Sequence, residues 1–447
     1  MNILRPMRQQ GQTSQRPFPS RSFLILLLAA FGLSVIVSPD ANGQGCRFKL
    51  SYSQRVRIET TNNVTTLDND AQAGSSYLRN RTSVMLQAFP GLRWEVATKL
   101  TNELRDYFVP ETKGMNWDEV FFDLLYVKCD SLGGHPITIT LGRQNINLGE
   151  GFLVMDGGPL DGSRSAYFNA ININWQVNPK STLALIYANQ PEQDDLLPII
   201  HNQDKALVEQ PEQAFVAYYS SNLKSATLQA YVMRKNIGAT STKRSAHVNC
   251  LGSYVQVPVT SRLTVTGELA AQIGKRAGAN QRAYGGYAYA EYKTGWPVPF
   301  PKAFTLGTLY LSGDNPTTGK YEGWEPMFGR WPKWSELYIY TLVRETGAAY
   351  WTNLASIFAK TSIVVVPDLT LSLDLHHLMA PQRANPKTPF PVGKGTNRGD
   401  LFIGKLTYQM NKHVSGHVLW ENLDPGNYYF DGADDCAWMR MEFLLKF

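Results

Sequence analysis

Beyond residue 40 the chain has no apolar run approaching the roughly 20 residues that cross a bilayer as a helix, and no stretch with a 3.6-residue apolar period. Helical membrane proteins and helix bundles are thereby set aside. Cysteine is scarce: Cys46, Cys129, Cys250 and Cys436 show no C-x-x-C spacing, which speaks against both a zinc site and a disulfide scaffold. The 7 histidines do not cluster as ligands. His376 and His377 are adjacent in a strand pattern and would point opposite ways, and His413 and His417 would share a face only on a helix. Neither a Gly-x-Ser-x-Gly elbow, nor a His-Glu-x-x-His pair, nor a glycine-rich phosphate loop occurs. No metal, no cofactor and no enzymatic activity is expected. Charge of one sign is also lacking. The formal net charge is +6, and residues 1–43 carry four arginines and one aspartate of it, leaving +3. That is no basis for nucleic-acid binding.

Aromatic residues are abundant, with 22 Tyr, 20 Phe and 10 Trp in 447 residues. The N-terminus carries Arg5, Arg8, Arg16 and Arg21, then an apolar run over 23–37 and the small-residue site Ala41-Asn42-Gly43. This reads as a secretory signal peptide over 1–43, cleaved after Gly43 or Gly45, with the mature protein from 44 to 447. The alternative is an anchor helix, for which the run is short.

From residue 47 onward the chain alternates. Phe48, Leu50, Tyr52, Val56 and Ile58 oppose Lys49, Ser51, Arg55, Arg57 and Glu59; Leu369, Leu371, Leu373 and Leu375 oppose Thr370, Ser372, Asp374 and His376. A two-residue period makes these strands with one greasy face, and the first is longer than a soluble strand usually is. The last, 436–447, ends on Phe447 with Ala437, Met439, Met441, Phe443 and Leu445 on one face, and Arg440 and Glu442 on the other. In a soluble sheet it would be an aggregation-prone edge; in a closed barrel it meets the first strand.

Further strands are predicted near 77–88, 92–105, 117–129, 136–148, 165–177, 181–189, 213–221, 226–236, 245–258, 262–274, 282–294, 303–314, 348–365, 369–380, 398–410 and 413–422. The connections between them alternate. Short ones fall at 90–91, 130–135, 178–180, 222–225, 259–261, 295–302, 366–368 and 411–412. Mostly long, polar, Gly- and Pro-rich ones fall at 61–76, 106–116, 149–164, 190–212, 237–244, 275–281, 315–347, 381–397 and 423–435. The sequence therefore predicts an all-β transmembrane antiparallel barrel in the bacterial outer membrane. It has about 18 strands, short periplasmic turns and long extracellular loops, and is wide enough for an aqueous channel.

A charge on the lipid face costs roughly 2–4 kcal/mol at the midplane. Arg55, Arg57, Arg79, Arg81, Arg93 and Lys99 should therefore line the pore, with Glu59, Glu95 and Glu103 among them. Two readings follow. In one the positive excess draws anions; in the other the cations pair with neighbouring acids and fill the lumen.

Gly142-Arg143-Gln144, a glycine-bearing loop, and Asp161-Gly162-Ser163-Arg164 together resemble the alginate-export family of outer-membrane porins. Arg55-Val56-Arg57, Ser312-Gly313-Asp314, Trp351-Thr352-Asn353 and Asp424-Pro425-Gly426 follow the same order. The resemblance implies an arginine-lined lumen, narrowed by loops, that passes an anionic polysaccharide or smaller anions. It also implies that Arg143, Gln144, Asp161 and Arg164 form the constriction or anchor the loops. Arg143 is in phase with Ile137, Ile139 and Leu141, so a bulge near Gly142 would have to turn it inward. Phe447 resembles the terminal aromatic by which barrel-assembly machinery takes its clients. The partners expected are outer-membrane lipid, that machinery during biogenesis, and an anionic or polar solute. The alternative function is a barrel with a non-transport role, as an enzyme or a surface scaffold.

Overall fold

The computed structural model describes residues 46–71, 73–155, 167–329, 333–346, 351–384 and 392–447. The leader expected at 1–43 lies outside them. Among the described residues, eighteen strands close into one antiparallel barrel. They are β1 (Arg47–Asn62), β2 (Ser75–Phe89), β3 (Trp94–Val109), β4 (Met115–Cys129), β5 (Ile137–Gln144) and β6 (Phe168–Asn178). Then come β7 (Ser181–Gln190), β8 (Glu212–Asn222), β9 (Thr227–Ile237), β10 (Ala246–Pro258), β11 (Leu263–Arg276) and β12 (Ala279–Lys293). The last six are β13 (Pro301–Leu311), β14 (Leu354–Val366), β15 (Leu369–Met379), β16 (Asn397–Gln409), β17 (Val414–Pro425) and β18 (Cys436–Lys446). A two-residue strand, Lys320–Tyr321, adds to β12 in parallel.

Closure follows the sequence pattern. β18 pairs with β1 so that Glu442 faces Arg57 and Arg440 faces Glu59, both toward the lumen. Met439, Met441 and Phe443 face outward and are exposed. Phe447 and Tyr52 exchange backbone hydrogen bonds of 2.9 and 3.0 Å, which removes the last free edge. On the outer face of β1–β4 several polar side chains bond one another or the backbone. Gln54 joins Asn80 and Thr82, and Asn102 donates to the carbonyls of Asp118 and Glu119 beside the β3–β4 register shift.

Two expectations are corrected. The connection expected as a loop over 275–281 is a two-residue hairpin, Ala277-Gly278, with φ of 51° and 90°. Positive φ at both positions matches the twist of the flanking strands, and glycine takes the second without strain. The expectation of no helix also fails, since α1 (Tyr338–Thr346) lies inside the long connection 312–353. Nine residues are too few to show a period in sequence. Tyr338, Ile339 and Leu342 are buried against Val64, Leu67 and Leu423, so tertiary packing rather than propensity makes this helix.

Candidate functional site

The lumen has a charged side built by β1–β4 and β18. Register places Arg55 opposite Arg81, Arg57 opposite Arg79, and Arg79 opposite Arg105. Like charges directly opposed on a sheet repel, so the carboxylates between them decide whether the wall folds. Glu103 does most. Its oxygens lie 2.7 Å from Arg79 Nε, 3.4 Å from Arg81, 3.7 Å from Arg105 and 3.8 Å from Arg55. Glu59 takes Arg57 at 3.5 Å, Arg79 at 3.8 Å and the Tyr77 hydroxyl at 2.7 Å. Asp123 takes Lys99 at 2.7 Å and Arg81 at 3.4 Å, and Glu442 takes Arg57 at 2.5 Å. Arg55 keeps two guanidinium nitrogens, Nε and Nη2, without a hydrogen bond. Of the residues read as pore-lining, Arg93 is placed elsewhere: it is exposed in the turn before β3, at the periplasmic mouth.

Arg143 is brought inward, but not by a register bulge. β5 pairs without a shift, and the chain instead twists at Gly142, whose φ is 119°. A Cβ there would strike the Leu125 carbonyl, so only glycine fits. Arg143 then reaches Asp194 in the 191–211 loop with a bidentate pair, Nη2–Oδ1 2.6 Å and Nη1–Oδ2 3.2 Å. It also donates to the Phe122 carbonyl at 2.8 Å and Asn169 at 3.0 Å, and its guanidinium lies 4.1 Å from the Tyr167 ring centre. Tyr167 donates to the same Asp194 carboxylate. Gln144 donates to the carbonyls of Gly142 at 3.3 Å and Ala170 at 3.1 Å, bracing the twist. Arg143 is thus buried against the 191–211 loop, and Gln144 against the backbone of β5 and β6. Asp161 and Arg164 lie outside the described residues.

The largest insertion is the 312–353 connection, which folds back into the barrel. Buried ionic anchors hold it. Arg398 meets Glu345 of α1 at 2.8 and 3.0 Å; Arg440 meets Glu336 at 2.8 Å. Lys235 meets Glu325 and Glu212, each at 3.0 Å, and the Met327 carbonyl at 2.7 Å. Glu421 on β17 accepts from the backbone N–H groups of Glu336 and Leu337 and from the Ser335 hydroxyl. It supplies a carboxylate to the start of α1, where unpaired N–H groups and the helix dipole favour one. A second insertion, 145–155, zips to the first through Phe328 N to Leu153 O at 2.8 Å and Lys333 Nζ to Glu150 O at 2.5 Å. Burial holds the Lys333 ammonium below the ordinary lysine range, against the pull of Glu150 and Glu268.

Across from the arginines, β8–β12 form a tyrosine side. Tyr231 and Tyr287 each donate to Glu268 at 2.9 Å, while Tyr254 and Tyr289 donate to Glu150 at 3.2 and 2.7 Å. Phe152, Trp324 and Trp334 of the two insertions pack on this side: Phe152 lies 5.4 Å from Tyr287, and Trp334 lies 5.6 Å from it. On β14 and β15, Ser356 Oγ lies 3.2 Å from His376 Nδ1. The other ring nitrogen has no hydrogen-bond partner among the described residues, so no third group orients the imidazole.

Lys235, Asp194, Glu325, Glu345 and Arg398 were not singled out from sequence. Lys235 alternates correctly with Tyr231 and Met233 on the inner face of β9, which is the one signal that could have found it. Three of the four family-like tripeptides, all but Arg55-Val56-Arg57 in β1, prove to be loop roots. The Ser312 carbonyl accepts from Trp324 N at 2.9 Å and Asn353 N at 3.2 Å, and Asn353 Nδ2 reaches the Gln382 carbonyl at 2.9 Å. Gly426 N donates to the Arg398 carbonyl at 3.1 Å.

A family model described as Alginate export matches residues 46–384. Among solved structures, Pseudomonas aeruginosa OpdO is 11% identical, covers 90% of this chain and 97% of its own, and has a TM-score of 0.57. Acinetobacter baumannii OccAB1 is 9% identical over 90% of this chain and 96% of its own, with a TM-score of 0.59. Pseudomonas aeruginosa OccK11 (OpdR) is 10% identical over 89% and 95%, with a TM-score of 0.55. No curated protein matches the chain significantly. At such identities the solved structures speak for the barrel alone, while the family model spans most of the chain. The chain belongs to the alginate-export family of bacterial outer-membrane barrels.

Proposed function

We propose that the barrel is a passive channel that favours anions, either small organic acids or segments of an anionic polysaccharide such as alginate. The observation that carries this reading is the charge count on the β1–β4 side. Arg55, Arg57, Arg79, Arg81, Lys99 and Arg105 gather around Glu59, Glu103, Asp123 and Glu442, six cations to four carboxylates. This excess is positive, and the Lys99 side chain is 25% exposed. A water-facing excess of one sign raises the local concentration of the opposite ion. Liposome swelling tests it. Galacturonate should enter faster than galactose through the wild type, and the difference should shrink in Arg55→Gln. Equal rates for the two sugars in the wild type would overturn the anion preference.

One observation favours a second reading, a barrel hydrolase using Ser356 and His376. Ester hydrolysis by the purified barrel that disappears in Ser356→Ala would establish it.

A further inference from the structure

We propose that the outer face of β9–β12, at its extracellular end, binds a phosphorylated acyl lipid of the outer leaflet. The proposal rests on the outer-membrane location and is independent of what passes through the lumen.

Arg234, Lys275, Arg282 and Lys320 are exposed, and His247 beside them is half-buried. All of the strand residues among them lie in the outward phase. Arg234 continues Val232, Lys275 continues Leu269 and Ile273, and Arg282 continues Tyr284. Register sets Arg234, Asn249, Ile273 and Arg282 in one row across four strands. His247, Lys275 and Asn280 form the next row up, with Lys320 beside Asn280. At about 4.8 Å per strand the two arginines stand about 14 Å apart. His247, Lys275, Arg282 and Lys320 line a pocket of about 410 Å³.

Two features identify the occupant. First, the cations are uncompensated. Arg234 touches only Asn236, at 3.5 Å, and none of Lys275, Arg282 and Lys320 has an ion-pair partner among the described residues. At the same rim Lys243 pairs with Glu209 and His377 with Asp400. Second, the cluster sits on top of an apolar strip. Leu251, Leu269 and Tyr284 are exposed directly beneath it, and Ile273 is exposed within its lower row. The outward residues of β11 from Leu263 to Ile273 cover about 34 Å of strand, which at a barrel tilt near 40° is close to the ~25 Å apolar band. Lys275 is therefore level with the lipid head groups, facing away from the lumen. A basic pocket over an acyl-compatible surface selects an anion that carries its own hydrocarbon. In the outer leaflet that is a lipid with phosphates on its sugar head.

The test is native mass spectrometry of the intact barrel with diphosphoryl lipid A, monophosphoryl lipid A and inorganic phosphate. The wild type should bind the diphosphoryl lipid most tightly. Each charge removed should weaken binding about five-fold, so Lys275→Gln with Arg282→Gln should weaken it about thirty-fold. Lys243→Gln, at the same rim but ion-paired, should bind as the wild type does. If the double variant does not fold, Lys320→Gln alone should show the five-fold loss. Unchanged affinity in these variants, equal affinity for the two lipids, or full displacement of lipid by inorganic phosphate would each overturn the proposal.

Discussion

The two sides of the lumen solve burial differently. On β1–β4 the side chains are charged, opposed in like pairs, and held by a few shared carboxylates. On β8–β12 they are tyrosines, whose neutral hydroxyls satisfy Glu268 and Glu150. The inserted aromatics pack on the tyrosine side and cover it: Tyr231 and Tyr287 are each 2% exposed. On the arginine side Arg79 and Glu103 are as deeply buried, while the Arg55 and Lys99 side chains are 15% and 25% exposed. On the function proposed above, the ionic side is the aqueous path. The same inference follows from cost, since a guanidinium loses far more on drying than a phenol does.

Substitutions should separate the two sides. The largest effect is expected at Glu103→Gln, which leaves the surrounding arginines short of a buried counter-ion. Removing one partner of a buried pair costs about 3–5 kcal/mol, visible as a lower melting temperature of the folded band on gels. Next is Glu345→Ala, which frees Arg398 and loosens α1; single-channel conductance should rise severalfold while the barrel still folds. An unchanged conductance would mean that α1 does not narrow the path. Arg143→Ala should cost a similar amount to Glu345→Ala in stability, about 3 kcal/mol, yet act on the 191–211 loop, seen as new proteolytic cleavage there. Tyr287→Phe should cost only about 1 kcal/mol and leave ion selectivity untouched.

A smaller, pH-dependent effect belongs to Lys333. Its folded pKa lies below the ordinary 10.5, so the unfolded chain holds more protons over that interval. Stability should then rise with pH between the lowered value and 10.5. Lys333→Met should remove this rise, as read from melting temperature against pH.

Much of the barrel was legible because a wall between lipid and water imposes a period of two on every strand. Leu369 to Leu375 and Phe48 to Ile58 show it without ambiguity. The Ala277-Gly278 hairpin was not legible, because Arg276-Ala277-Gly278-Ala279 lacks the Asn-Gly or Asp-Gly signal that marks such turns. Of the site, the arginines of β1–β3 were readable from phase. Their partners were only partly so: Glu59 and Glu103 share the alternation, whereas Asp123 sits in a strand of ambiguous phase. The loop anchors were hidden for a different reason. Asp194 lies 51 residues from Arg143, Glu345 lies 53 from Arg398 and Glu325 lies 90 from Lys235. None of these acids is brought to its partner until the barrel closes. Arg143 also required the twist at Gly142, which reverses what periodicity alone predicts.

Ions are expected to follow the arginine side. Reversal potential across a planar bilayer under a KCl gradient, for the wild type, Arg55→Gln with Lys99→Gln, and Tyr254→Phe, tests it most directly. The wild type should be anion-selective, the double variant shifted toward cations, and Tyr254→Phe unshifted. A wild type that prefers cations, or a shift in Tyr254→Phe equal to that of the double variant, would contradict it.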